Sequence, residues 1–127
     1  MAILGKTTTD SPEFRALDGT LSGDDYVSIV VSKDAAAREA AASSENAPVA
    51  ALVSFAQDSK SSVRLAVASN PAIGRASSAA AILADDRSAD VVRALVDNPA
   101  TPDMVISMIA DRGPRSVRAA AQERLAD

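Results

Sequence analysis

The sequence has no cysteine, histidine or tryptophan, and its aromatic side chains are limited to Phe14, Tyr26 and Phe55. Without cysteine there is no disulfide and no thiolate for metal binding or nucleophilic catalysis, and without histidine the commonest general base and metal ligand is missing. These absences weigh against an enzyme, and we expect no cofactor and no metal ion. The adjacent carboxyl groups of Asp85 and Asp86 are the remaining candidates for acid–base chemistry, and no partner base accompanies them.

Long apolar runs are also missing. No run approaches the roughly 20 apolar residues that a membrane-spanning helix needs, and residues 1–4 are shorter than the apolar region of a signal peptide. We therefore expect a cytoplasmic protein without membrane association. With 47% hydrophobic but only 2% aromatic residues among 127, the composition predicts one alanine-rich domain whose small side chains let short helices approach closely.

An internal repeat organises the sequence. Residues 63–72, Val-Arg-Leu-Ala-Val-Ala-Ser-Asn-Pro-Ala, return in looser form as residues 91–100, Val-Val-Arg-Ala-Leu-Val-Asp-Asn-Pro-Ala. Successive copies begin 26, 26, 28 and 26 residues apart, and the two extra residues fall within 74–78. A period of this length is typical of stacked structural repeats. The resulting units lie near 11–36, 37–62, 63–90, 91–116 and 117–127.

Each unit predicts two short helices joined by turns rich in Asn, Asp, Gly and Pro. The first helix of each pair is expected near 35–43, 62–69, 89–97 and 116–125, with a degenerate copy near 11–17. The second is expected near 23–32, 48–57, 75–84 and 102–110. Helices of about eight residues are marginal in water alone, so neighbouring units must stack on one another. One column of the second helices should then be buried throughout, namely Ile29, Phe55, Leu83 and Ile109.

The repeated motif Val63-Arg64-x-Ala66-Val67-Ala68-x-Asn70-Pro71, followed by an apolar helix and an Asp-rich loop, resembles the leucine-rich repeat variant family. That family is similar in turn to HEAT-like repeats. The resemblance covers roughly residues 11–127 and weakens towards the N-terminus, where Pro12 replaces the arginine of the motif. It implies an all-α fold, a short right-handed α-solenoid of about four two-helix repeats with a terminal half-repeat. It further implies a binding scaffold, and no catalytic residue can be carried over.

The domain boundaries follow from the same pattern. Residues 1–10 are polar without an apolar period, so we expect a flexible N-terminal tail. Residues 11–127 are expected to form a single α-solenoid repeat domain. The terminal half-repeat is expected to contain only the first helix of a pair, so one end of the repeat stack is open. The protein is therefore expected to be a monomer or a weak end-to-end homo-oligomer.

The arginines suggest an anion-binding patch. Arg38, Arg64 and Arg118 share one repeat column, with Arg93 one position off. One interpretation is that each arginine pairs with an acid in an adjoining loop. The other is that the C-terminal arginines bind anions such as a nucleic-acid backbone. The calculated pI of 4.7 disfavours nucleic acid. The candidate anion-binding residues are Arg87, Arg93, Arg112, Arg115 and Arg118.

Three apolar residues stand where related positions in other units are mostly small or polar. The column of Met104 holds Asp24 and Ala50, that of Met108 holds Ser28, Ser54 and Ile82, and the column of Val31 otherwise reads Gln, Asp and Asp. Methionine adapts its shape to a partner, so these residues are candidates for partner binding. The alternative is that the methionines close the end of the repeat stack.

Together these features predict a non-catalytic protein–protein interaction scaffold or adaptor with a protein partner of unknown identity. The alternative prediction is binding of a nucleic-acid backbone through the C-terminal arginines.

Overall fold

A computed structural model describes residues 11–127, and this part of the chain is helical without any strand. The predicted flexible tail, residues 1–10, lies outside the described residues. In chain order the α-helices of residues 11–127 are α1 (Pro12–Asp18), α2 (Asp25–Val30), α3 (Ala35–Ala42), α4 (Val49–Phe55), α5 (Ser61–Ser69), α6 (Ser77–Ala84), α7 (Ala89–Asp97), α8 (Asp103–Arg112) and α9 (Arg115–Ala126). Each predicted helix is present, and the ends agree to within two residues.

The one addition is a 3₁₀ helix, Pro71–Arg75, between α5 and α6. It overlaps the first two residues of the segment 74–78, to which the two extra residues of the third unit were assigned, and α6 begins within the same segment at Ser77. Asn70 caps the 3₁₀ helix, because its side chain accepts a hydrogen bond from the N–H of Ala72 at 2.9 Å. The segment with the two extra residues is therefore mostly helical, since only Ala76 separates the 3₁₀ helix from α6.

The helices pack in two rows. Each odd-numbered helix from α1 to α9 contacts the next odd-numbered helix, and each even-numbered helix from α2 to α8 contacts the next even-numbered one. Helices that follow each other in the chain also touch, which joins the two rows. The described chain is thus a repeat-like helical fold in which each unit packs on its neighbours.

Buried side chains from both rows form one continuous core. The predicted column is confirmed, because all four of its side chains are fully buried: Ile29, Phe55, Leu83 and Ile109. A second column one turn earlier is buried as well: Tyr26, Leu52, Ala80 and Ile106. Alanine is frequent in this core, and its small size allows the short helices to pack closely.

Asparagine side chains connect successive units. The amide nitrogen of Asn70 donates hydrogen bonds to the carbonyl oxygens of Ala42 and Ser44, at 2.9 and 2.8 Å. Asn98 makes the equivalent pair of bonds to the unit before it, both at 2.9 Å. Both side chains are buried, and each satisfies carbonyl groups at the end of a helix that has no further intrahelical donors. The Asn-Pro pair of the repeat thereby fixes the register between units.

Arg124 occupies the same repeat column in the last unit. Its guanidinium group donates to the carbonyl oxygens of Val96 and Asn98, both at 2.6 Å. It also reaches the carbonyls of Pro99 and Thr101. An arginine therefore takes over the bonding role of the asparagines and satisfies the carbonyl groups of α7 and of the turn that follows it.

Candidate functional site

Two arginines of the predicted repeat column form ion pairs that connect adjacent units, and we call each of these ion pairs a clamp. Arg38 binds the carboxylate of Asp58 at 2.8 Å, and Arg64 binds that of Asp86 at 2.7 Å. Each guanidinium group also donates to the carbonyl oxygen of the residue six positions earlier. All four charged side chains are at most 11% exposed. For these arginines the pairing interpretation is confirmed, and they are not available to a ligand.

The next unit changes both partners of this clamp together. Val92 stands in the arginine column and is fully buried, while Arg112 stands in the column of Asp58 and Asp86. Arg112 instead pairs with Asp85 at 3.2 Å, and both side chains are more than half exposed. Hydrogen bonding to that carboxylate raises the pKa of Arg112. Because Arg112 stands where the earlier units have an aspartate, no unpaired carboxylate is left beside the buried Val92.

The candidate anion-binding arginines are all exposed, but three of the five are engaged within the protein. Arg93 pairs with Asp97 within α7 at 3.5 Å, and Arg112 is held by its pair with an aspartate. Arg118 donates to the carbonyl oxygen of Gly113 at 2.8 Å. Arg87 and Arg115 make no ion pair with any residue of 11–127. Acidic residues stand close to these arginines in the sequence, namely Asp85, Asp86, Asp90 and Asp111.

The two candidate methionines differ in exposure. Met104, in the first turn of α8, is 78% exposed. Met108, one turn later, is half-buried and packs against the core. Met104 is therefore the more accessible of the two candidate methionines.

The third candidate, Val31, lies at the opposite end of the even-numbered row and belongs to an open groove of about 440 Å³. Val31 is 80% exposed and Val27 is 76% exposed, although both are large apolar side chains. We call this surface the α2–α4 groove, and it is lined chiefly by Tyr26, Val27, Val30, Val31, Ala50 and Ser54. Its volume falls within the range of roughly 300–1,000 Å³ that is common for ligand sites.

Sequence reasoning identified Val31 but missed Val27 and the groove. Val27 shares a repeat column with Val53, Ala81 and Ser107, and because half of this column is valine, Val27 does not stand out there as an apolar exception. A usable signal was the spacing of Val27, Val30 and Val31, since positions i, i+3 and i+4 form one stripe on a helix.

The few polar atoms in the α2–α4 groove are already used within the protein. The Tyr26 hydroxyl donates to Oγ of Ser44 at 2.9 Å. The Ser54 hydroxyl donates to the carbonyl oxygen of Ala50 at 3.2 Å. The groove therefore presents apolar surface without convergent free donors or acceptors, which are the groups that orient a small polar ligand.

An ion pair holds α2, the first wall of the groove, against α1. The guanidinium group of Arg15 binds both carboxylate oxygens of Asp25, at 2.7 and 2.8 Å. Asp25 also accepts a hydrogen bond from the N–H of Ser22 at 2.9 Å. The bonds from Arg15, and then the one from Ser22, hold the pKa of Asp25 well below its ordinary value. The wall is thus anchored by a carboxylate that stays charged at neutral pH.

A second surface depression of similar volume lies on the odd-numbered row, across α1, α3 and α5. Its lining is more polar, with Glu39, Ser43, Ser62 and Ser69 among nine residues, whereas the α2–α4 groove has only the hydroxyl groups of Ser54 and Tyr26 among the side chains of its nine lining residues. The α2–α4 groove is therefore the better candidate for binding an apolar ligand surface.

Comparison with known proteins adds no assignment, because no protein-family model, curated protein or solved structure matches this chain. Within residues 11–127, acidic side chains do not gather into a cluster that could hold a metal ion. None of the helices in that same range combines the length and apolar character needed to cross a membrane.

Proposed function

We propose that this protein is a non-catalytic interaction scaffold that binds a protein partner through the α2–α4 groove. The observation that carries the proposal is the pair of exposed valines, Val27 and Val31, above an apolar floor on a firmly held helix. Exposed apolar surface that forms a groove marks binding sites more reliably than scattered apolar residues do.

The architecture that supports this role is a short right-handed α-solenoid of four two-helix repeats and a half-repeat, of the leucine-rich repeat variant type. The two rows of helices and the asparagine bonds between units support the repeat assignment. Solenoids of this kind expose whole rows of helices as extended binding surfaces. The family assignment and the cytoplasmic location are parts of the same proposal.

The chemistry of the groove favours a protein segment over a small molecule. Val27, Val30 and Val31 are β-branched, so little side-chain entropy is lost when they pack against a partner. Their stripe matches the pattern by which a helical segment inserts apolar anchors into a groove. Small polar molecules would find no free hydrogen-bonding group to fix their orientation.

The test is affinity capture with the intact protein and a Val27→Ser/Val31→Ser variant, followed by identification of the proteins retained. Both positions are exposed, so the variant should fold normally, which circular dichroism checks. We expect a specific partner that the variant retains at least tenfold less, because two apolar contacts are removed. Met104→Ser removes an equally exposed apolar side chain from the other end of the row and should retain the partner fully. Equal capture by the groove variant would refute the proposal.

A second candidate function is binding of a nucleic-acid backbone at the C-terminal turns. It is favoured by Arg87 and Arg115, which are exposed and have no carboxylate partner within residues 11–127. Titration of labelled duplex and single-stranded oligonucleotides at low salt tests it. Binding that weakens steeply with salt and is lost in Arg87→Gln/Arg115→Gln would establish it, and absence of binding at low salt would eliminate it.

A further inference from the structure

We infer that the segment bound by the α2–α4 groove is a short amphipathic helix with two apolar anchors about one turn apart and a lysine- or arginine-rich flank. This inference rests on the proposed function, because it specifies the chemistry of the partner at the same groove.

The length of the groove limits the number of anchors. Its walls, α2 and α4, contain six and seven residues, which at 1.5 Å per residue gives about 9–10 Å. On a partner helix, apolar side chains at i and i+4 are about 5–6 Å apart, so two such anchors fit along the groove. The three valines of α2 follow a matching spacing on the opposite surface. A long apolar stripe would extend beyond the groove into polar surface.

The charge around the groove specifies the flank. Residues 11–62, which include both walls, contain eight acidic and four basic side chains, a net charge of −4. Two of the basic residues, Arg15 and Arg38, are already engaged by Asp25 and Asp58. The remaining six acids outnumber the two lysines of this segment. Arg75, whose guanidinium group donates to the carbonyl oxygens of Glu45 and Ala47, adds one positive charge, so this part of the surface keeps an acidic excess that favours a basic partner.

Two exposed acidic side chains, Asp24 and Glu45, stand near one end of the groove, and with the guanidinium group of Arg75, which donates to the carbonyl oxygen of Glu45 at 2.7 Å, they give a net charge of −1 there. Asp24 directly follows Gly23, and Glu45 lies three residues before Pro48; both of these neighbours line the groove. Asp24 and Glu45 are exposed, and neither side chain makes an ion pair or hydrogen bond with a residue of 11–127. This end is where α2 and α4 begin, so the basic flank of the partner should lie there.

The opposite end of the groove is close to neutral. Lys33 and Asp34 follow Val31 and carry opposite charges. Gln57 follows α4 and is uncharged, and Asp58 beyond it is engaged by Arg38. A basic flank at this end would gain little electrostatic attraction. The charge distribution therefore predicts the orientation of the partner helix along the groove.

A library of synthetic helical peptides tests the inference. Each peptide of about four turns carries two aliphatic or aromatic anchors at i and i+4, and each is made twice, with lysine/arginine flanks and with aspartate/glutamate flanks. We expect the basic series to bind in fluorescence anisotropy and the acidic series to bind at least tenfold more weakly. Equal binding by both series, or binding by neither, would overturn the inference.

Charge variants locate the flank. Asp24→Asn/Glu45→Gln should weaken the best basic peptide by roughly three- to tenfold, as the loss of two exposed charge pairs allows. Asp103→Asn/Glu123→Gln removes the same two charges from exposed sites far along the chain and should leave its affinity unchanged. Loss of affinity in the second variant but not the first would contradict the placement of the flank.

Two further measurements separate the occupants of the groove. Val27→Ser/Val31→Ser should abolish binding of the basic peptides, and persistence of binding would place them elsewhere. Sedimentation of the protein alone tests a second copy of the chain as the occupant, and flotation with vesicles containing phosphatidylserine tests a lipid surface. Self-association or vesicle binding lost in the same variant would replace the peptide as the occupant.

Failure of this inference and failure of the proposed function are distinguishable. A partner captured through the groove whose binding segment is acidic or extended would leave the scaffold function intact and refute only the basic amphipathic helix. A partner that is captured equally well by the Val27→Ser/Val31→Ser variant would refute the groove and, with it, this inference.

Discussion

At the scale of the residue, Asp25 links the groove to the pH dependence of stability. Its pKa in the folded protein lies below the ordinary value of 3.8 because Arg15 and the N–H of Ser22 bind the ionised form. A group with a lowered folded-state pKa stabilises the fold above its unfolded-state pKa, and this contribution disappears as the pH falls towards the folded-state value.

The substitution Asp25→Asn removes this pH-dependent contribution to stability. Between about pH 4 and pH 2 the free energy of unfolding should fall less steeply in Asp25→Asn than in the unchanged protein, because the variant has no carboxylate to protonate at this site. Urea unfolding at several pH values in this interval measures both slopes. Identical slopes would show that the Arg15–Asp25 pair does not contribute to acid sensitivity.

Exposure of a single residue was also the hardest property to predict from the sequence. The buried column through Phe55 followed from the repeat, because each member has equivalent neighbours in the units before and after it. Val27 has the same kind of side chain as Val53 in its column, yet within the described chain no even-numbered helix precedes α2. The spacing of Val27, Val30 and Val31 predicts a stripe on α2, but the repeat alone does not specify whether that stripe is covered.

At the scale of the helical element, buried ion pairs hold adjacent units together. Removing one member of a buried pair leaves an uncompensated charge and costs about 3–5 kcal/mol. One unit lacks this ion pair, and there Val92 and Arg112 replace both of its members at once. Arg64 and Asp86 should therefore be coupled energetically.

A double-mutant cycle measures this coupling. Arg64→Val and Asp86→Asn should each lower the free energy of unfolding, and the double variant should lose at least about 1 kcal/mol less than the sum of the two. The exposed pair Arg93–Asp97, treated in the same way, should show coupling of at most about 0.5 kcal/mol. Equal coupling for both pairs would mean that the burial of the Arg64 clamp has no energetic consequence.

The asparagine bonds form the second connection between units. Asn98→Asp keeps an acceptor for the N–H of Ala100 but removes the two donors to the carbonyls of Ala68 and Asn70. Leaving two buried carbonyls unsatisfied should cost about 2–4 kcal/mol in chemical unfolding. Asn46→Asp, the same change at an exposed site, should cost less than about 0.5 kcal/mol. A similar loss in both variants would contradict this role for the asparagine.

The elements themselves were largely predictable. The apolar period and the Asn-Pro turns placed the ends of α7 and α5 to within one residue, because each unit repeats the same capping chemistry. The 3₁₀ helix Pro71–Arg75 was not predicted, since its sequence contains a proline and a glycine and has the character of a turn. Its backbone is ordered by the side chain of Asn70, a contact that the sequence alone does not specify.

At the scale of the whole molecule, the two rows of helices place distinct surfaces far apart along the stack. The apolar α2–α4 groove lies at one end of the even-numbered row, and Met104 with the mixed-charge arginine turns lies at the other. The sequence indicated candidates at both ends but could not rank them. Ranking needed the exposure of each side chain and the pairing of each arginine, which depend on contacts between units.

The most direct test of the account is a map of chemical-shift changes in ¹⁵N-labelled protein during titration with the segment of the captured partner. We expect the largest changes to cluster on α2 and α4, around Val27, Val31 and Ala50, and to be lost in Val27→Ser/Val31→Ser. Changes that cluster instead around Met104, or around Arg87 and Arg115, would contradict the groove as the binding site and assign the function to the other end of the molecule.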